Sequence, residues 1–190
     1  MSKGTAVPEG ERKMRVGTIL ASLVLLSAVA WSAADEKKAR PAAEKSPGLE
    51  KFKQLAGEWV GKETGGGQGG GQEVRAIYKV TSAGSAVVET LLPGSEHEMV
   101  TVIHADGDDL ALTHYCALGN QPHMKTKGKT DGDKIAFKFA SASNLKSEKE
   151  MHMHDVTYTF VDQDTLKAEW THYDDGKPAG TAVFELKRKK

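Results

Sequence analysis

The chain has 190 residues, enough for one domain with an apolar core of its own and shorter appended segments. It holds 26 Lys and Arg residues against 26 Asp and Glu residues and shows no basic stripe, which excludes nucleic acid as an expected partner. The single cysteine, Cys116, has no partner for an internal disulfide, so we expect packing to stabilise the fold.

The N-terminal residues, 1–34, have the pattern of a secretory signal peptide. A basic stretch at 11–15 precedes an almost wholly apolar run at 16–30, and small residues follow at 32–34. The apolar run is short for a membrane span, and Met14 is a second candidate start because the sequence from there has the complete pattern. We therefore predict an exported protein, periplasmic or extracellular. The alternative is a membrane anchor that is not cleaved.

A charged segment with two prolines predicts a flexible linker at residues 35–47, and we expect the barrel domain at 48–190. Apolar residues at helical spacing predict a short helix over 48–56. The apolar period then changes to two, which is typical of strands that are half buried. Ten strands are predicted at residues 57–63, 73–81, 85–92, 98–105, 109–116, 123–129, 133–140, 152–161, 164–173 and 180–187.

Short and long connections alternate strictly between these predicted strands. Successive connections of an up-and-down meander lie at opposite ends, so the tight turns are expected at one end, the base, and the long loops at the other, the mouth. With ten strands the first and last run antiparallel and can pair, which removes the sheet edges. The predicted fold is therefore all-β: a closed or nearly closed antiparallel up-and-down barrel of about ten strands, with the short N-terminal helix at the closed base.

The sequence Gly57-Glu58-Trp59, just after the predicted helix, resembles the Gly-x-Trp signature of lipocalins. In that family the tryptophan packs at the closed end of the barrel against a late arginine, so the resemblance implies a structural role for Trp59 with Arg188. The number of strands is more similar to that of fatty-acid-binding proteins and of the haem-carrying nitrobindin barrels. The chain thus resembles the lipocalin-like (calycin) superfamily, and we expect an exported bacterial branch of it.

Six of the seven histidines are predicted at or near the mouth. Strand parity gives several of them the same face as apolar residues, which is the face expected to point inward. An apolar floor with a histidine-rich mouth predicts a cavity for a small apolar or amphipathic molecule. The candidate ligand-binding residues are His114, Cys116, His152, His154, Tyr158, Trp170 and His172.

Two other functions fit the same pattern. Imidazole nitrogen suits a transition metal, and His152 and His154, two residues apart on one strand, form the candidate pair. The third ligand is expected to be His114, with Cys116 and His172 as alternatives. The nitrobindin resemblance implies haem as another candidate cofactor, and a barrel that binds a metal or haem could have a redox or isomerase role. A structural envelope protein whose barrel is filled solid is the remaining alternative. Nothing in the sequence requires catalysis, so we expect a binding protein whose partner is a small molecule, with membrane contact only through an uncleaved N-terminal segment.

One carboxyl group on a predicted strand has two interpretations. Glu89 shares strand parity with Val87 and Leu91, which allows a buried carboxyl group with a raised pKa. We favour the other interpretation, an error in the assigned parity of that strand.

Overall fold

A computed structural model describes residues 46–65, 71–127, 130 and 132–190. The predicted signal peptide and all but the end of the predicted linker lie outside these residues. Among the helices of the described ranges, none combines the length and the apolar character that a bilayer crossing requires.

The described residues form one short α-helix and a closed sheet of antiparallel strands. The helix is α1 (Pro47–Gln54), and the strands are β1 (Gly57–Gly65), β2 (Glu73–Thr81), β3 (Ala86–Leu91), β4 (Met99–Asp106), β5 (Asp109–Tyr115), β6 (Gln121–Lys125), β7 (Lys134–Ser143), β8 (His152–Asp162), β9 (Thr165–Asp174) and β10 (Lys177–Arg188). Each strand pairs with its neighbours in sequence, and β1 pairs with β10. The predicted fold class, a closed ten-stranded antiparallel barrel with a helix before the first strand, is confirmed.

Alternation of apolar and charged side chains explains how the strands form the barrel wall. In β2, Val74, Ala76 and Tyr78 are buried, whereas Arg75 and Lys79 on the other face are exposed. Successive side chains of a strand point to opposite faces of a sheet, so one set packs in the interior and the other meets solvent. The interior is therefore assembled from alternate residues of all the strands around the wall.

The predicted strand boundaries are inaccurate near two irregularities in the sheet. The pairing of β6 with β7 shifts between His123 and Met124, and that of β10 with β9 shifts between Pro178 and Gly180. An extra residue in one strand changes the local alternation, which a strict period of two does not anticipate. As a result, β7 continues to Ser143 and β10 begins at Lys177, three residues beyond the predicted limits of 140 and 180 in each case.

Helix α1 packs against the base of the barrel. It begins at Pro47 after Ser46, whose hydroxyl accepts a hydrogen bond from the Leu49 amide at 3.4 Å, as expected of a helix N-cap. Its central aromatic residue, Phe52, is fully buried. The Phe52 ring meets those of Phe137, Tyr158 and Phe160 edge to face, at centroid distances of 6.0, 5.0 and 5.3 Å. Aromatic contacts of this geometry add to the stabilisation from burial alone, so Phe52 fills the base.

Trp59 and Arg188, the pair implied by the lipocalin resemblance, lie together at this end. The indole of Trp59 is fully buried and donates to the Leu55 carbonyl oxygen at 2.7 Å. The guanidinium of Arg188 lies over the Trp59 ring, 4.4 Å from its centre, in a cation–π contact. Arg188 also donates to the carbonyl oxygens of Gln54 and Ala56 at 2.7 and 3.0 Å. These contacts join the C-terminal end of α1 to the first and last strands.

Candidate functional site

A row of four polar side chains crosses the inner face of the barrel wall from β2 to β5. Tyr78 lies opposite Glu89, Glu89 opposite Thr101, and Thr101 opposite His114. Residues directly opposite each other on neighbouring strands point to the same face, so the register alone aligns all four. Each is at most 2 % exposed. We call this set, together with Tyr158 from β8, the polar row.

Glu89 is the centre of the polar row. The hydroxyl of Tyr78 donates to its Oε1 atom at 2.6 Å, and that of Tyr158 donates to its Oε2 atom at 2.8 Å. Thr101 provides a further side-chain hydrogen bond to the same carboxyl group. Three hydroxyl groups from three strands therefore enclose one buried carboxyl group, so the favoured sequence interpretation, a parity error at Glu89, is wrong.

Burial dominates the acid–base behaviour of this centre. It raises the pKa of Glu89, while the hydrogen bonds from Tyr78, Tyr158 and Thr101 act in the opposite direction by favouring the carboxylate. Burial and the nearby Glu89 also raise the pKa of both phenols well above the usual value. Tyr78 and Tyr158 are therefore protonated hydrogen-bond donors at any physiological pH.

His114 forms the end of the polar row. Its Nδ1 atom is 2.9 Å from the hydroxyl oxygen of Thr101, and its ring packs on Trp170 with centroids 4.6 Å apart. Burial lowers the pKa of His114 to about 4, so the imidazole is neutral at physiological pH. Its Nε2 atom is buried and has no hydrogen-bond partner among the residues that the structure describes. Most buried polar atoms in native proteins are paired, so an unpaired nitrogen at the end of a hydrogen-bonded row is a candidate binding point.

The position of the polar row divides the interior into two halves. On the base side, Val87, Ile103 and Leu112 are buried next to it on their strands. On the mouth side, the corresponding inward residues are Leu91, which is buried, and Met99, which is partly buried against the core. The Nε2 atom of His114 thus belongs to an apolar environment, as expected of a small-molecule site with few polar groups.

His152 and His154 belong to a second group of rings, which we call the mouth cluster. The His154 ring is stacked between Phe139 and Tyr173, with centroids 4.9 and 3.7 Å away. The centroid of His152 is 4.8 Å from that of Phe139 and 5.6 Å from that of His154. The sequence analysis placed both histidines on one inward face because it assumed strict alternation along β8. A register shift between Met153 and Asp155 interrupts that alternation.

The hydrogen bonds of His152 fix its tautomer. Its Nδ1 atom is 2.7 Å from the carbonyl oxygen of Glu150, which can only accept, so Nδ1 carries the proton. The Nε2 atom of His152 is buried and, within the described ranges, has no hydrogen-bond partner. The Nδ1 atom of His154 lies 3.2 Å from Oδ1 of Asp155, at an angle that does not form a hydrogen bond.

The remaining predicted site residues lie near the mouth ends of their strands. Cys116 follows β5 and is half buried, and burial raises the pKa of its thiol, which disfavours the reactive thiolate. His172 on β9 lies against Gly180 on β10. A Cβ atom at Gly180 would lie 2.6 Å from the Cε1 atom of His172, so a larger residue there would require the imidazole to shift.

The structure therefore brings together three of the predicted residues, since Trp170 contacts both His114 and Tyr158, with ring centroids 4.6 and 6.2 Å away. The sequence analysis missed Tyr78 and Thr101 as site residues. The available signal was that polar residues on neighbouring strands alternate in step with the inward-facing apolar residues. Their alignment into a row can be recognised only once the register of the strands is known. Within the described ranges, no three His, Cys, Asp or Glu side chains are grouped so that they could hold a metal ion.

A groove of about 680 Å³ lies elsewhere on the barrel. Val60, Val161 and the three lysines Lys62, Lys167 and Lys187 are among the residues that line it. Val161 is 58 % exposed, so the groove opens to solvent. It is a second place where an apolar molecule could bind, separate from the polar row.

Comparison with solved structures finds a similar fold in the crystal structure of Rv2717c from M. tuberculosis. The TM-score is 0.55 and the sequence identity 16 %, over 77 % of this chain and 100 % of the other. No protein-family model matches the chain, and no curated protein sequence matches it either. At this identity the likeness concerns the fold alone, so this chain is a closed ten-stranded β-barrel similar in architecture to Rv2717c.

Proposed function

We propose that the barrel binds a small apolar or amphipathic molecule in its interior, on the mouth side of the polar row. The observation that carries the proposal is the buried Nε2 atom of His114, which has no partner among the described residues. A buried polar atom without a partner costs roughly 1–3 kcal/mol, which a bound polar group would offset. The apolar side chains of Leu91, Met99 and Trp170 suit the rest of such a molecule.

We also propose that the chain belongs to the lipocalin-like (calycin) superfamily. The Gly57-Glu58-Trp59 sequence at the start of β1 and the cation–π contact between Trp59 and Arg188 support this placement. The pattern of residues 1–34 supports an exported protein. N-terminal sequencing of the protein from its native host should give a mature chain that begins after Ala34. A full-length chain in the membrane fraction would instead support the uncleaved anchor.

Binding in the interior can be tested with a probe and a pair of matched variants. The full chain, extracted with organic solvent and refolded, should bind the neutral fluorescent probe N-phenyl-1-naphthylamine. Met99→Trp adds bulk on the inward face and should abolish binding, whereas Val100→Trp adds the same ring at the next position of β4, which faces the other side of the sheet, and should not. Met99→Phe serves the same purpose if the larger substitution prevents folding.

Each other result of this experiment has a distinct meaning. Equal binding by the wild type and the Met99 variants would contradict an interior site. Loss of binding in Val161→Trp alone would place the probe in the lysine-lined groove. A wild type that binds no probe and carries no organic molecule in native mass spectra would support the filled structural barrel.

Metal or haem binding stays a prediction, and two measurements on the purified protein address it. A Soret absorption band would support haem, and stoichiometric Zn, Cu or Ni after purification without chelator would support a metal site. The His114 Nε2 atom is chemically suited to either ligand, because a second hydrogen-bonded nitrogen orients the ring. Either result would replace the organic ligand as the partner of that atom.

A further inference from the structure

We infer that the polar end of the ligand is a hydrogen-bond donor without negative charge, an alcohol or an amine, which donates to the Nε2 atom of His114. This inference rests on the proposed interior binding site. It follows from the direction of the hydrogen bonds along the polar row and from the charges buried in the barrel.

The direction is set at Glu89. The phenol protons of Tyr78 and Tyr158 go to its two carboxylate oxygens, and the Thr101 hydroxyl also hydrogen-bonds this group. A hydroxyl group has one proton, so a Thr101 hydroxyl that donates to Glu89 can only accept from His114. The Nδ1 atom of His114 must then carry the imidazole proton, at 2.9 Å from the Thr101 oxygen.

The other ring nitrogen has the opposite character as a consequence. A neutral imidazole with its proton on Nδ1 has an unprotonated Nε2 atom, which is an acceptor only. That atom is buried and, in the part of the chain that the structure describes, unpaired. The complementary group on a ligand is therefore a donor, such as a hydroxyl or an amine.

The buried charges exclude an anionic head group. Within the described residues, the buried polar and charged side chains include Glu89 but neither lysine nor arginine. A carboxylate buried next to His114 would lose its hydration with no buried cation to compensate. An alcohol or an amine brings no such negative charge and can donate a proton to the Nε2 atom.

A panel of ligands with one chain length and different head groups tests the inference. 1-Dodecanol, dodecylamine, methyl dodecanoate and dodecanoate would each displace N-phenyl-1-naphthylamine from the full chain at neutral pH. We expect the alcohol and the amine to act at concentrations about tenfold lower than the ester and the carboxylate, the effect of one buried hydrogen bond. In His114→Phe, the preference for the alcohol and the amine over the ester and the carboxylate should fall below about threefold. His123→Phe, which removes a histidine bonded to Thr113 and Ser143, should retain it.

The outcomes separate this inference from the function on which it rests. Tightest binding of dodecanoate or of the methyl ester would overturn the inference and leave interior binding in place. Failure of every ligand and of the probe to bind would remove the proposed function itself. If His114→Phe does not fold, Thr101→Val keeps the imidazole but frees its tautomer, and the preference should again decrease.

Nuclear magnetic resonance gives a second readout that requires no ligand. Long-range ¹⁵N–¹H correlations of histidine-labelled protein distinguish a protonated ring nitrogen from an unprotonated one. We expect the proton of His114 on Nδ1 in the wild type and a mixture of tautomers in Thr101→Val. A proton on Nε2 in the ligand-free wild type would overturn the inference.

Discussion

Two threonine–histidine pairs with the same hydroxyl-to-Nδ1 distance occur on opposite faces of the same part of the barrel wall. The hydroxyl-to-Nδ1 distance is 2.9 Å both for Thr101 with His114 and for Thr113 with His123. The Nε2 atom of His123 lies 3.0 Å from the Ser143 hydroxyl, whereas that of His114 has no partner among the described residues. Thr113 and His114 are consecutive on β5, so strand alternation alone assigns them to different pairs.

The difference between the inner and the outer pair shows that burial, rather than contact geometry, creates the candidate site. Around the partly exposed outer pair, water can replace any lost hydrogen bond at little cost. Around the inner pair the effective dielectric constant is low, and an unpaired group is expensive. The following experiments test that contrast, beginning with the largest expected effect.

Removal of the carboxyl group at the centre of the inner network should have the largest effect. Glu89→Ala leaves the hydroxyls of Tyr78, Tyr158 and Thr101 without their acceptor and creates a cavity. We expect the free energy of unfolding to fall by roughly 3–5 kcal/mol in urea denaturation. A loss below about 1 kcal/mol would show that water or other groups replace the carboxylate, and that the inner network is not distinct from the outer one.

The buried imidazole should make stability depend on pH. The unfolded chain binds a proton at His114 below pH 6.5, but the folded chain does so only below about 4, because burial lowers its pKa. The stability that the neutral His114 contributes is therefore fully present above pH 6.5 and is lost as the pH falls toward 4. The difference between these pKa values corresponds to about 3 kcal/mol.

Urea denaturation at several pH values would measure this contribution. Between pH 7 and 4, His114→Phe should lose about 3 kcal/mol less stability than the wild type. Thr113→Val leaves His114 in place and should keep the wild-type dependence. If the free energy of unfolding changed with pH in the same way for the wild type and His114→Phe, the imidazole of His114 would be solvated in the folded protein.

The two threonines provide the most direct comparison of the inner and outer pairs. Thr101→Val and Thr113→Val remove one hydroxyl each with almost no change of shape. The inner substitution leaves His114 unpaired and should cost roughly 1–3 kcal/mol, whereas the outer one should cost under about 1 kcal/mol. Equal losses would contradict the importance assigned to burial.

Ser143→Ala should have the smallest effect. It removes the partner of the His123 Nε2 atom, which water can replace at the exposed surface. We expect a change within about 0.5 kcal/mol in the same urea assay. A larger loss would show that the outer pair belongs to a cooperative network and would weaken its use as a control.

The sequence by itself determined the fold. The period of two, the alternation of short and long connections and the even number of strands predicted the closed barrel, and tight turns limited most boundaries to within a few residues. These features are local, so they can be read along the chain without knowledge of distant contacts. The boundaries failed near the bulges at His123 and Gly180, where an added residue breaks the period.

Only the tertiary structure decided the arrangement of the site. Parity placed Glu89 on the inner face but could not show that Tyr78 and Thr101 flank it, because that depends on the register of two strand pairs. It could not show that Tyr158 reaches Glu89 from β8, 69 positions along the chain. A buried carboxyl group is tolerated only where several donors converge, and convergence of residues distant in sequence is a property of the closed barrel.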